Sequence, residues 1–218
     1  MDYDKNLMFQ ALILMFEGAT AWDRIALQAP GLARVFFFRL LPMMVITAAL
    51  EGLGLARWGK WQPEFRHYRF FTNDQIVTYE VAQSLLNLVM ILLCSWLVQV
   101  MGRTFHGRDT YTYGRSFTAV VCSLGAMFLL RLLDPLPVMN PYISWALGIV
   151  LSIWILYDGL PRLLLPDPTH AFGLYLSGAF VLVLATGSVR VFTALYLQGN
   201  AGFSHSFIGH TIIELIGH

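Results

Sequence analysis

The chain has 218 residues, of which 57% are hydrophobic and 12% charged, with a formal net charge of +1 and a mean hydropathy of +0.61. A soluble domain carries about 25% charge, so a soluble monomer of this make-up would expose large apolar patches, and the same composition excludes a disordered chain. What remains is an integral membrane protein, and a charge so near zero gives no reason to expect a nucleic-acid partner.

In chain order, Asp2 and Asp4 outnumber Lys5 ahead of the apolar run Leu7 to Phe16, and Glu17 ends it. Ala19-Thr20-Ala21 mimics a signal-peptidase site, but a secretory signal begins with positive charge. The run is also shorter than the roughly 20 residues needed to cross hydrocarbon. The reading predicts an interfacial amphipathic helix over residues 6–27, inside an N-terminal segment 1–33. Five stretches are long enough to span: 35–56, 76–101, 116–133, 142–160 and 172–197. In lipid each must be helical, because unpaired backbone groups there cost several kcal/mol. The expected fold is all-α: a polytopic bundle of five spans over residues 34–197, followed by a short C-terminal tail, 198–218.

The links carry turn and interface chemistry. Residues 57–75 mix Arg57, Lys60, Arg66 and Arg69 with Trp58, Trp61, Tyr68, Phe70 and Phe71, as suits a loop at the headgroups. Thr72-Asn73-Asp74-Gln75 has the pattern of a capping box that starts the second span. Asp134 to Pro141 contains three prolines and predicts a tight turn, so the third and fourth spans are antiparallel neighbours. Residues 161–171 repeat that theme with Pro161, Pro166 and Pro168. Lys5, Arg24, Arg34, Arg103, Arg108, Arg115 and Arg162 fall on the N-terminal side of five spans; Arg57, Lys60, Arg66, Arg69 and Arg131 fall on the other. This asymmetry favours a cytoplasmic N-terminus.

Small residues recur at every fourth position in the third span (Gly114, Thr118, Cys122, Ala126) and the fourth (Ser144, Gly148, Ser152). Such ridges let helix backbones approach closely; a pore lined by small groups is the other use of the pattern. In the second span Glu80, Gln83, Asn87 and Cys94 fall in one sector. Polar groups inside lipid face a bundle interior, a solute path or another subunit. Charges inside or at the ends of spans are Arg39, Glu51, Arg131, Asp134 and Arg190. Arg131 and Asp134 are three residues apart and can pair. For Arg39, Arg131 and Arg190 the choice lies between snorkelling or internal pairing and binding a substrate or lipid headgroup. No histidine lies inside a span, so no haem is expected. Cys94 and Cys122 read as small buried hydrophobes. No cofactor or metal site is expected, bound lipids are, and none of the common hydrolase or nucleotide-binding motifs occurs.

Three segments resemble the Yip family, five-span proteins named for interacting with Ypt/Rab GTPases, and in particular its bacterial members. They are residues 16–42, with Ala21-Trp22-Asp23-Arg24-Ile25-Ala26 and Leu41-Pro42; residues 107–131, with Tyr113-Gly114 and Phe117-Thr118-Ala119; and residues 153–171, with Tyr157-Asp158-Gly159-Leu160-Pro161-Arg162. The eukaryotic Asp-Leu-x-Gly-Pro motif does not occur in this sequence. The resemblance implies interaction rather than catalysis.

Three functions follow in order of support. The first is a non-enzymatic scaffold or accessory subunit that binds lipids and other integral membrane subunits in a bacterial cytoplasmic membrane. The second is a small-solute transporter or channel using Glu80, Gln83, Asn87, Arg39 and Arg190, which five spans without inverted halves do not favour. The third is a lipid-acting enzyme, resting only on Arg66, His67 and Arg69 at the interface.

Overall fold

The computed structural model describes residues 10–62, 67–106, 111–137, 139–166 and 168–198. Helix α1 is Gln10–Gln28; a short α2, Leu32–Val35, runs through a π-helical turn, Phe36–Leu40, into α3, Leu41–Trp58. A two-stranded hairpin follows, β1 Lys60–Gln62 and β2 His67–Arg69. Then come four long helices: α4 Asn73–His106, α5 Tyr113–Arg131, α6 Pro141–Leu164 and α7 Pro168–Gln198. Five helical stretches are long and apolar enough to cross a membrane: Leu32–Trp58, Asn73–Thr104, Tyr113–Arg131, Pro141–Leu164 and His170–Leu197. The protein is an all-α, five-span bundle, and the spans lie where the hydropathy places them.

The central helix is α5. In its membrane-length stretch 72% of residues are buried, against 28–44% in the other four spans. Phe117, Ala119, Val120, Leu124 and Ala126 have no measurable exposure, so α5 meets neighbours on every side. It packs most extensively on α6. At that crossing a Cβ on Gly148 would lie 2.9 Å from the Met127 Cα. Hydrogen at this position is what lets the two backbones come so close.

Local chemistry sets the boundaries. The capping box forms: the Thr72 N–H donates to Gln75 Oε1 (3.1 Å) and the Gln75 N–H to Thr72 Oγ1 (3.4 Å). Asn140 Oδ1 accepts from the Tyr142 N–H at 2.9 Å, with Pro141 at the first turn of α6. The π-helical turn lies just ahead of Pro42, which has no N–H to give to the preceding turn, and the Leu41 N–H reaches back to the Phe36 carbonyl.

The ends of the third and fourth spans and the loop after the first differ from expectation. The third span stops at Arg131, and Leu132 and Leu133 belong to the turn. The fourth continues through Pro161 to Leu164, where Leu165 takes a left-handed conformation (φ 48°) and its N–H donates to the Pro161 carbonyl. The expected headgroup loop contains the hairpin, with Lys60 opposite Arg69 and Trp61 opposite Tyr68. Gly59 makes that hairpin possible: its φ is +65°, and a Cβ there would sit 2.4 Å from the Arg69 carbonyl oxygen.

The N-terminal helix needs a larger correction. Over its described residues, from Gln10, it does not run as the one surface helix expected over residues 6–27. It kinks at Gly18 (φ 23°, ψ −95°), and Ala21, Trp22 and Ile25 are buried against α5 and α6. An apolar face presented to its own bundle is removed from the headgroup region that the amphipathic pattern suggested. Residues 1–9 and the tail from 199 onward, including His205, His210 and His218, lie outside the described residues.

Candidate functional site

Down, up, down, up, down: this threading brings the end of the first span, the start of the second, the end of the third, the start of the fourth and the end of the fifth to one end of the bundle. Each contributes a polar side chain there. Glu51 of α3 is the hub. Its Oε1 accepts from the Tyr79 hydroxyl at 2.9 Å, and its Oε2 accepts from Gln83 Nε2 and from Arg131 Nη2, both at 2.9 Å. Asn87, one turn beyond Gln83, donates to the Gln83 carbonyl at 2.8 Å.

A second group forms around Asp134, in the turn after α5. Arg190 Nη2 pairs with its Oδ2 and also donates to Ser144 Oγ at 3.0 Å, while the Ser144 hydroxyl donates to Asp134 Oδ1. Arg190 Nε donates to the Pro141 carbonyl at 2.8 Å. Arg131 Nε stands 3.9 Å from Asp134 Oδ2, which joins the two groups. Lys60 closes the end from the hairpin: Nζ donates to the carbonyls of Asp134 (2.7 Å) and Leu136 (3.3 Å). Burial pushes the Lys60 ammonium below its ordinary value, opposed by the Asp134 and Glu51 charges. Burial also pushes the Asp134 carboxyl up, opposed chiefly by Arg190.

Each of the two buried carboxylates in this network has a guanidinium as its partner. That is the condition under which charges persist in lipid, since a buried ion left without its partner costs several kcal/mol. Beside it, Gln83, Asn87, Met127, Arg131, Trp145, Thr186, Val189, Arg190 and Thr193 line a narrow cleft with room for little more than a water molecule. Trp145 Nε1 crosses it to donate to Thr186 Oγ1 at 3.1 Å.

Gln83, Asn87, Arg131, Asp134 and Arg190 therefore converge inside the chain's own bundle and do not stand on an outer face. Glu80 departs from them. It turns toward Gly52 of α3, and both of its carboxylate oxygens are enclosed without a hydrogen-bond partner among the described residues. Of the small-residue ridges, Gly148 makes the close approach and Ala126 is fully buried. Ser144 belongs to the Asp134 group, and Thr118 bonds within its own helix to the Gly114 carbonyl at 2.8 Å. The Ser152 hydroxyl has no partner among the described residues. A Cβ on Gly114 would meet nothing within 4 Å. Sequence reasoning passed over Lys60 and Tyr79 as network members, Thr186 in the adjoining cleft, and Glu51 as the network's centre. The available signal for Glu51 was its position: an unscreened acid inside a span requires a cation at equal depth.

The opposite end is built differently. Arg39, on the π-helical turn, is 8% exposed, and its Nη1 donates to Cys122 Sγ of α5 at 2.9 Å. Trp22 of α1 is fully buried, with Nε1 donating to the Ile155 carbonyl of α6 at 3.1 Å. Its ring lies over Gly159, where a Cβ would sit 2.3 Å from ring carbons. One residue on, Asp23 pairs with Arg162 Nε at 3.1 Å, and Arg162 Nη1 donates to the Asp158 carbonyl at 2.6 Å. The Ala-Trp-Asp-Arg and Tyr-Asp-Gly-Leu-Pro-Arg segments, about 135 positions apart, are thus one packing unit.

These features define a five-span integral membrane protein with an added N-terminal helix docked on its third and fourth spans. The Yip1 domain matches the chain over residues 12–189, so the chain belongs to the Yip1 domain family. No curated protein and no solved structure matches it.

Proposed function

We propose that the protein acts by contact, as a non-enzymatic scaffold or accessory subunit of a larger membrane assembly, in a bacterial cytoplasmic membrane with its N-terminus in the cytoplasm. One observation carries this reading. On α6, Ile143, Leu147, Val150, Trp154 and Tyr157 are exposed at alternating spacings of four and three, with Trp154 70% exposed. Tryptophan favours the interfaces of a bilayer, yet Trp154 lies near the middle of its span. A large ring at that depth, on a coiled-coil-like seam, suits a helix of another subunit better than acyl chains. Family membership supports interaction in the same way, since the family is not known for catalysis. Affinity purification in mild detergent tests the reading. A stoichiometric integral membrane partner is expected with the native chain and lost with Trp154→Ala, while a native chain that purifies alone rejects it.

The cleft between α4 and α7 favours a second reading, a path for a small polar solute. Its free space admits little more than water, which ranks it below the first. Flux into proteoliposomes that disappears on Asn87→Leu would support it.

A further inference from the structure

One carboxyl in the spans stands outside every pairing described above. Both oxygens of Glu80 are enclosed by protein and have no hydrogen-bond partner among the described residues. The charges that face it are Glu51 of α3, Arg131 of α5 and Asp134 of the following turn. Each is already committed, Arg131 to Glu51 and Asp134 to Arg190. Lys60 donates to the carbonyls of Asp134 and Leu136. Tyr79, the residue before Glu80, puts its hydroxyl on Glu51. Among these groups no cation or donor is left for an ionised Glu80.

The enclosure comes from the packing of α3 on α4, not from depth in the bilayer. A Cβ on Gly52 would lie 3.4 Å from Ile76 Cγ2, 3.6 Å from Glu80 Cγ and 3.9 Å from Glu80 Oε1, so the α3 backbone covers the carboxyl. Beside this contact Leu50 and Leu53 of α3 and Val77 and Val81 of α4 are exposed, which sets hydrocarbon rather than water outside the groove. A carboxylate taken out of water without a donor costs far more than the neutral acid does, so such a group keeps its proton. The Glu51 carboxylate close by adds like-charge repulsion to that cost.

We propose that Glu80 is a proton-binding site: it carries a proton in the folded protein, and this proton lets α3 seat on α4 at Gly52. Removing the proton in place would leave an anion facing Glu51 in a dry groove. The proton therefore leaves when α3 parts from α4 and admits water. The first span is the one suited to move, because it has the smallest buried share of the five, 28%. This site is independent of the contact surface on α6, and either can fail without the other.

The test is infrared difference spectroscopy on the full chain in lipid vesicles at neutral pH, native minus Glu80→Gln. The expected loss is one carbonyl stretch of an un-ionised carboxylic acid, unchanged when sodium replaces potassium in the buffer. Glu17→Gln, at an exposed acid, should instead remove a carboxylate stretch. Loss of a carboxylate stretch in Glu80→Gln, or an acid stretch that sodium abolishes, overturns the proposal. If Glu80→Gln does not fold, the native chain is treated with dicyclohexylcarbodiimide, an apolar reagent that adds to protonated carboxyls, and the label is mapped. Label on Glu80 in preference to Glu51 and Asp134 is expected, and its absence from Glu80 counts as failure. A folded state that holds more protons than the unfolded one loses stability as pH rises. Between about pH 5 and about pH 8 the melting temperature of the native chain should drop relative to Glu80→Gln by about 3 °C or more. A difference that stays constant with pH also overturns the proposal.

Discussion

The two ends of this bundle solve the same problem, polar groups in lipid, in opposite ways. At the end closed by the hairpin, Glu51, Asp134, Arg131 and Arg190 balance one another and draw a group from each of the five spans. At the end closed by α1, cohesion comes from shape, with the Trp22 ring seated on a glycine and Gly102 making room for the Tyr111 ring. There the one charge buried within a span, Arg39, finds no carboxylate among the described residues. The first end is specified by charge and is sensitive to losing it. The second is specified by volume and is sensitive to gaining it.

Glu51→Ala should have the largest effect, since it leaves Arg131 buried without its partner; about 3–5 kcal/mol of stability is expected to be lost, read as a thermal melt in detergent. Adding Arg131→Leu to Glu51→Leu should recover a good part of this, and a double variant no better than the single would break the charge account. Lys60→Met removes the donor that serves the Asp134 and Leu136 carbonyls and should cost about 2 kcal/mol. At the other end Gly159→Ala adds one methyl under the Trp22 ring, with an expected cost of about 1.5 kcal/mol and earlier cleavage of α1 in limited proteolysis. A larger loss from Gly159→Ala than from Glu51→Ala would reverse the comparison. The smallest effect is expected from Thr186→Val in the middle of the bundle. It removes the acceptor of Trp145 and should cost about 0.6 kcal/mol, the average for a hydrogen bond between membrane helices.

The spans were legible because hydrocarbon leaves the backbone one solution, and a run of apolar residues at that length states it openly. The capping box at Thr72 was equally plain, because both of its partners are local. Legibility fails where partners are distant in sequence. Arg131 and Asp134 can pair on their spacing of three and stand 3.9 Å apart, but each has a closer partner 56 to 80 residues away, and nothing in the spacing indicates which. Glu51 stood out as an acid in a span, yet its central place depends on Tyr79 and Gln83 arriving from α4. The docking of α1 was hidden for another reason. An amphipathic pattern shows that one face is apolar, not whether lipid or protein will cover it. Glycine 159 within a Tyr-Asp-Gly motif was the clue, a missing side chain where another helix had to fit.

The pairing of Arg190 with Asp134 also bears on how the molecule is made. A chain synthesised from its N-terminus places Glu51, Arg131 and Asp134 in the membrane before the last helix has left the ribosome. Until then Asp134 lacks its strongest counter-charge, and the half-built bundle holds an acid in waiting. When α7 enters, Arg190 is a costly guest for the bilayer but a ready complement for that carboxylate. A polypeptide truncated before residue 168 would lack the guanidinium that Asp134 pairs with most closely.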